Sequence, residues 1–117
     1  MALNKKNRLK KERDFEDVFK KGKAVNGSFL FIKYKKNELG MPRFGFVVSA
    51  KVAKKAVERN KIRRIFSEAV RGVIDGLGDY DIIVLASNKI TVMSKEDIVE
   101  DLLGVLKKIK WPFKGHT

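Results

Sequence analysis

The sequence predicts an α+β sandwich, one sheet of three or four strands with helices packed on it, in the order α-β-β-β-α-β-α. Segments with apolar residues at helical spacing alternate with short runs rich in aromatic and β-branched residues, and glycine, proline or asparagine stands between them. The chain has 117 residues, enough for one domain with one core. Residues 1–117 therefore read as a single unit, with a loose basic arm over 1–10 and a tail over 111–117.

The first helix is expected from about Lys11, with Phe15, Val18 and Phe19 at i, i+3 and i+4 and Gly22 as its stop. Asn26-Gly27 signals a tight turn into a strand through Phe29 to Tyr34. Gly40 and Pro42 mark the next turn, and Arg43 to Ser49 reads as a strand with Phe44, Phe46 and Val48 on one face. From Val52 to Ile74 runs the longest helical pattern, with Ile62, Ile65, Phe66, Ala69 and Val73 inward. Tyr80 to Ala86 is an apolar run read as a buried strand. Ser94, with Asp97 three residues on, caps a last helix whose Ile98, Leu102, Val105 or Leu106, and Ile109 face inward, and Pro112 closes it. In the tail, Trp111 is read as docked against the body.

The formal net charge is +13, and it is local: residues 1–71 hold 21 basic and 7 acidic residues, residues 72–117 hold 6 and 7. A polyanion suits such a surface, because neutralising phosphates releases condensed counterions. Cysteine is absent and His116 is the single histidine, which removes thiol chemistry, a Ser-His-Asp triad and a multi-histidine metal site. The acidic residues Asp75, Asp79, Asp81, Glu96, Asp97, Glu100 and Asp101 are spread without a two-metal pattern. No apolar run reaches the length of a bilayer span and no signal-peptide stretch follows the basic start, so a cytoplasmic protein without a membrane partner is expected.

On a helical wheel the second helix separates into Ile62, Phe66, Ala69 and Val73 on one side and Asn60, Arg64, Ser67 and Arg71 on the other, with Lys61 and Arg63 at the edges. Residues 51–71 carry eight basic residues against Glu58 and Glu68, whereas a helix face that only solvates mixes its signs to gain i,i+4 pairs. Arginine donates bidentately to phosphate and stacks on bases, and asparagine reads a base edge or a ribose hydroxyl.

Lys54 to Arg64, centred on Arg59-Asn60-Lys61 and followed by Glu68, resembles the arginine-asparagine-arginine signature of the bacterial ribonuclease P protein family. Arg8-Leu9, Arg13-Asp14-Phe15 with Phe19 and Gly22, and Gly45 to Ser49 leading into Lys51 support the resemblance, which extends to about Ala86. It implies a sandwich with a left-handed β-α-β crossover, against the usual right-handed rule. It also implies a protein subunit that binds a catalytic RNA and the single-stranded 5′ leader of precursor tRNA, with no obligate protein partner. Catalysis is then expected on the RNA with Mg2+, with no catalytic or metal-binding residue and no cofactor on the polypeptide.

Carried over by position, Arg59, Asn60, Lys61, Arg63 and Arg64 are expected to contact the RNA subunit, and Arg71 joins them from the outward stripe of the helix. Phe15, Phe19, Phe29, Phe31, Lys33, Lys51, Lys54 and Lys89 contact the leader, the rings stacking on unpaired bases and the lysines following the backbone. Core packing accounts equally well for Phe15 and Phe19. This chain departs from its relatives at Lys61, which keeps charge without the guanidinium fork, and at Ser67 and Ala50, positions often basic in relatives. The competing reading is a ribosomal or other general RNA-binding protein, which explains the charge but leaves the signature and the aromatic residues as coincidences.

Overall fold

The computed structural model describes residues 3–109. Its elements are α1 (Glu12–Lys21), β1 (Lys23–Asn26), β2 (Leu30–Lys36), β3 (Arg43–Val47), α2 (Ala56–Arg71), β4 (Tyr80–Ala86) and α3 (Lys95–Lys108), with short 3-10 turns at Lys5–Asn7, Ile74–Gly76 and Asn88–Val92. The order is the one expected. One four-stranded sheet runs β1-β2-β4-β3. β1-β2 and β2-β4 pair antiparallel, while β3 and β4 are parallel neighbours joined through α2. Trp111 and Pro112 lie outside the described residues.

Alternation along the strands gives the sheet two apolar faces. Leu30 and Ile32 of β2, Phe44 of β3 and Ile82 and Val84 of β4 are buried in the main core with Ile62, Ile65, Phe66 and Val70 of α2 and Ile98, Leu102, Val105 and Leu106 of α3. The other face carries a smaller core of Leu9, Val18 and Ile83, against which Phe15, Val47 and Leu85 pack. α3 is held at its start by the Ser94 hydroxyl, which accepts from the Asp97 amide. Its Asp101 carboxylate accepts from the amides of Ser28 and Phe29, at 2.9 and 2.8 Å, and so fixes the β1-β2 turn.

Several expected details change. The loose arm is docked over its described part: Leu3 and Leu9 are buried, the Leu9 amide donates to the Phe44 carbonyl at 2.9 Å, and buried Asn7 donates to the Pro42 carbonyl at 2.8 Å. Its apolar residues outweigh its charges because β3, an edge strand, offers unpaired backbone groups. β3 stops at Val47 instead of Ser49, and α2 starts at Ala56 and ends at Arg71 instead of spanning 52–74. Residues Val52 and Ala53 belong to a turn whose amides bond to the Ser49 carbonyl, so their apolar character serves packing and not helix periodicity. Val70, four residues after Phe66, takes the core place expected for Val73, which lies beyond the helix end and is exposed.

α1 is fixed to its sheet face by a row of charged side chains. Arg43 donates to Asp81 from Nε and Nη2, at 2.8 and 2.7 Å, and reaches Asp14 of α1 at 3.5 Å. Asn37 donates to the same Asp81 at 2.8 Å, so this buried carboxylate is compensated on both sides. Lys35 of β2 pairs with Asp17 of α1 at 2.9 Å, and the Lys33 ammonium donates to the Phe19 carbonyl at 2.8 Å. Gly22 ends α1 in an extended conformation, not the left-handed one that a glycine stop suggests. A side chain there would place Cβ 2.4 Å from the Val18 oxygen and 2.8 Å from the Tyr34 oxygen, so glycine is required by the close approach of α1 to β2.

The Asp17 pair makes the docking of α1 pH-dependent. The Lys35 hydrogen bond, reinforced by the charges of Lys35 and Lys21 and opposed by desolvation, holds the Asp17 carboxyl below its ordinary range. The folded protein therefore binds this proton more weakly than the unfolded chain, and the stabilisation is complete above the unfolded value and lost as pH falls through the folded one. Asp17→Asn should unfold at lower denaturant than the parent at neutral pH, with the gap closing in acid as the parent carboxyl protonates. Equal gaps in neutral and strongly acid solution would assign the loss to something other than this charge.

Candidate nucleic-acid interface

Two surfaces collect the residues singled out in the sequence. The first lies on α2. Lys61, Arg64 and Arg71 are exposed, and Arg63 is half-buried with its guanidinium donating to Asn60 Oδ1. Arg59 turns back instead: its Nη1 donates to the carbonyls of Ala53 and Lys54 at 2.9 and 2.8 Å, tying the β3-α2 connection to the helix. Its remaining donors stay available, but part of its role is structural. Ser67, expected in the outward stripe, is buried on a flank of α2 that shares a groove with β3 and the docked N-terminal segment.

Asn60, Arg63, Arg64 and Ser67 line one groove, whereas Lys61 lines a separate cavity beside Glu58, Ile90 and Lys95. The six residues expected to contact RNA are thus on one helix but not on one face. The groove has a volume of about 420 Å³ and runs along β3, where Phe44, Gly45 and Phe46 line it. Arg8 and Phe15 also line it, and among the described residues no acidic side chain does. Arg8 Nε is buried with no hydrogen-bond partner among the described residues. A buried donor left so costs roughly 1–3 kcal/mol, which favours an acceptor from outside the chain.

The second surface lies on the α1 side of the sheet. Strand register places Phe31, Leu85 and Val47 in one row, Lys33, Ile83 and Gly45 in the next, and Lys35, Asp81 and Arg43 in the third. α1 occupies the second and third rows, through Phe15 over Gly45 and the ion pairs above. The first row is left half open, with Phe31 36% exposed and Phe19 of α1 39% exposed beside Lys33. Because β3 and β4 are parallel, the connections that follow them leave the sheet at the end nearest this row. They carry Lys51, Lys54 and Lys89, all exposed.

Phe15, Phe19, Phe31 and Lys33 therefore lie on the α1 side of the sheet, and Lys51, Lys54 and Lys89 lie in the connections that leave at the end nearest Phe31. Phe29 joins neither group. It lies in the turn before β2, where strand alternation has not begun, packs against the main core, and lines a recess with Asp97 and Asp101 of α3. Phe15 belongs to both surfaces, since it packs with Val47 and Leu85 and also lines the groove under α2. Leu85 and Val47 were not singled out, although period-two alternation through β4 separates Ile83 and Leu85 from Ile82 and Val84. Arg8 was assigned to the arm and not to a site.

Among the described residues no group of three or more His, Cys, Asp or Glu side chains is placed to hold a metal ion, and no helix is long and apolar enough to cross a membrane. The family model described as ribonuclease P matches residues 3–110. The chain is similar to the ribonuclease P protein component of Fusobacterium nucleatum, 39% identical over 109 residues that cover 89% of this chain and 97% of the relative. It is likewise similar to that of Syntrophomonas wolfei, 36% identical with 91% and 89% covered.

Among solved structures it resembles the RNase P protein of Staphylococcus aureus, with a TM-score of 0.83 and 34% identity over 87% of this chain and 94% of that one. A mutant of the same protein, described as having defective mRNA degradation activity, matches with a TM-score of 0.83 and 33% identity over 89% and 88%. The RNase P protein of Thermotoga maritima matches with a TM-score of 0.81 and 31% identity over 88% and 97%. Sequence, element order and three-dimensional fold agree along nearly the whole length, and the chain belongs to the ribonuclease P protein family.

Proposed function

We propose that this chain is the protein subunit of a ribonuclease P holoenzyme, holding the catalytic RNA with the α2 side and the 5′ leader of precursor tRNA with the open row beside α1, and so assisting removal of the leader in the cytoplasm. The observation that carries this reading is the combination of a family match over residues 3–110 with a sheet end where exposed Phe19 and Phe31 stand beside lysines. Aromatic faces stack on unpaired bases with little regard to sequence, and lysines follow the phosphates. On this reading hydrolysis occurs on the RNA subunit with its Mg2+, the polypeptide positions the substrate, and no step is routed through a metal on this chain.

Reconstitution tests the whole reading. The purified protein should restore correct 5′ cleavage of precursor tRNA by a ribonuclease P RNA at low magnesium. Rigorously RNA-free protein should not cleave that substrate, and cleavage at the correct site by the polypeptide alone would overturn the division of labour. An unstructured RNA belongs in the same experiment, given the mRNA degradation activity named for the Staphylococcus aureus relative.

Arg64→Ala should weaken binding of the RNA subunit by about 1–3 kcal/mol and lower the salt dependence, as loss of a charge-assisted phosphate contact does. Arg64 is exposed on α2, so the denaturant midpoint should not move. Unchanged RNA affinity would return this face to solvent.

Phe31→Ala separates the second surface from the first. Affinity for precursor tRNA with a leader of several nucleotides should fall by about 1–3 kcal/mol, the worth of one stacked base, while mature tRNA and the RNA subunit bind as before. At 36% exposure Phe31 should cost far less stability than the about 3–5 kcal/mol of a core phenylalanine. Equal losses for precursor and mature tRNA would remove Phe31 from the leader surface.

A further inference from the structure

We propose that the groove between α2 and the edge of β3 is a pocket for one unpaired nucleotide of RNA, its base against the phenylalanines and its phosphate on Arg8 and Arg64; this rests on the RNA-binding reading of α2 and names what its inner flank recognises. The volume of about 420 Å³ falls within the range of small-ligand sites. Its lining divides by chemistry. Phe15 and Phe46, both half-buried, supply aromatic surface over a floor that includes buried Phe44, while Arg8, Arg63 and Arg64 supply three cations without an acidic residue among the described lining to neutralise them. An apolar ligand would leave those cations unmatched, and a bare anion would leave the rings unused. A nucleotide combines a flat aromatic body with a charged end and satisfies both.

Two further features favour an occupant of this kind. Arg8 Nε is buried without a partner among the described residues, so a donor is already desolvated where an anionic oxygen would meet it. Asn60 lines the same groove with its Oδ1 accepting from Arg63, which leaves its amide N–H groups to donate to a base or ribose oxygen. The walls are fixed in advance, since β3 is hydrogen-bonded to β4 and the docked segment is bonded to β3 through Leu9. The site borders the row of Phe31, Leu85 and Val47 through Phe15 and Leu9, which line the groove and also belong to the small core on that face of the sheet.

Adenosine 5′-monophosphate, adenosine and inorganic phosphate can each be titrated into the full chain, with backbone amide shifts of Gly45, Phe46 and Ser67 as the local readout. The nucleotide should saturate these shifts more tightly than either fragment. Arg8→Ala should weaken nucleotide binding about tenfold, with Arg8→Lys giving only part of it back because it lacks the Nε donor. Arg64→Ala, at an exposed position, should weaken it without altering the fold, which keeps the test valid if Arg8 variants unfold. Phosphate binding as tightly as the nucleotide, shifts confined to other residues, or displacement by a glutamate-rich peptide but not by the nucleotide would each overturn the pocket. Binding of the ribonuclease P RNA measured in parallel distinguishes the two levels: intact RNA binding by Arg8→Ala with no nucleotide site discards the pocket alone, and loss of RNA binding in no α2 variant discards the reading of the helix.

Discussion

The structure depends on a sheet that is apolar on both faces but has helix enough for only one. α2 and α3, of 16 and 14 residues, cover the face of the main core. α1 alone serves the other, and with ten residues it extends about 15 Å, close to the width of four strands set about 4.8 Å apart. Lying across the strands, a helix about 10 Å in diameter covers no more than two rows of side chains, since rows on one face are about 6.7 Å apart. The remaining row, that of Phe31, Leu85 and Val47, is left half open. Charge decides which row that is: Asp14 and Asp17 draw α1 toward Arg43 and Lys35 and away from Phe31. The open aromatic strip is thus a geometric consequence of a short helix held at one end of the sheet.

Positive charge is organised by the same economy of cover. The chain tolerates eight basic and two acidic residues over 51–71, and part of that repulsion is relieved internally. Arg59 binds the carbonyls of Ala53 and Lys54, Arg63 binds Asn60, and Glu68 pairs with Lys95 of α3 at 3.4 Å, which holds its carboxyl below the ordinary range. Lys51, Lys54, Lys55, Lys61, Arg64 and Arg71 remain exposed. An external polyanion therefore meets exposed cations both on α2 and in the connection before it, while Arg59 and Arg63 are partly held by the chain's own neutral groups.

The element order, the two faces of β2 and the inner stripe of α3 were legible because each follows from a period of two or 3.6 that packing does not override. The ends of α2 were not, since Val52 and Ala53 pack in a turn and continue the apolar pattern of the helix without belonging to it. The basic arm was misjudged because four cations in ten residues conceal Leu3 and Leu9, whose burial depends on an unpaired strand edge that no local pattern announces. Phe29 was carried over by position together with Phe31 and Lys33, but it precedes β2 and packs against the main core. The pairing of Arg43 and Lys35 with partners on α1 and β4 joins residues 18 to 38 positions apart, beyond any local pattern. The same is true of the groove, which needs the arm, α1, β3 and α2 together.

β3 is where these threads meet. As an edge strand it would expose a row of backbone donors and acceptors and invite pairing with another chain. The N-terminal segment blunts that edge by pairing Arg8 with Phe44, and in doing so delivers the Arg8 side chain to the rim of α2. One side of β3 then supports α1 through Gly45, where a Cβ would lie 2.4 Å from the Phe15 ring, and the other supports α2 through Phe46, whose ring lies 5.9 Å from that of Phe66. A displacement of α1 along the sheet must move Phe15, and Phe15 is common to the aromatic strip and to the groove. The two candidate RNA surfaces are therefore positioned by one rigid strand, and their separation is set by the thickness of the sheet and not by a hinge.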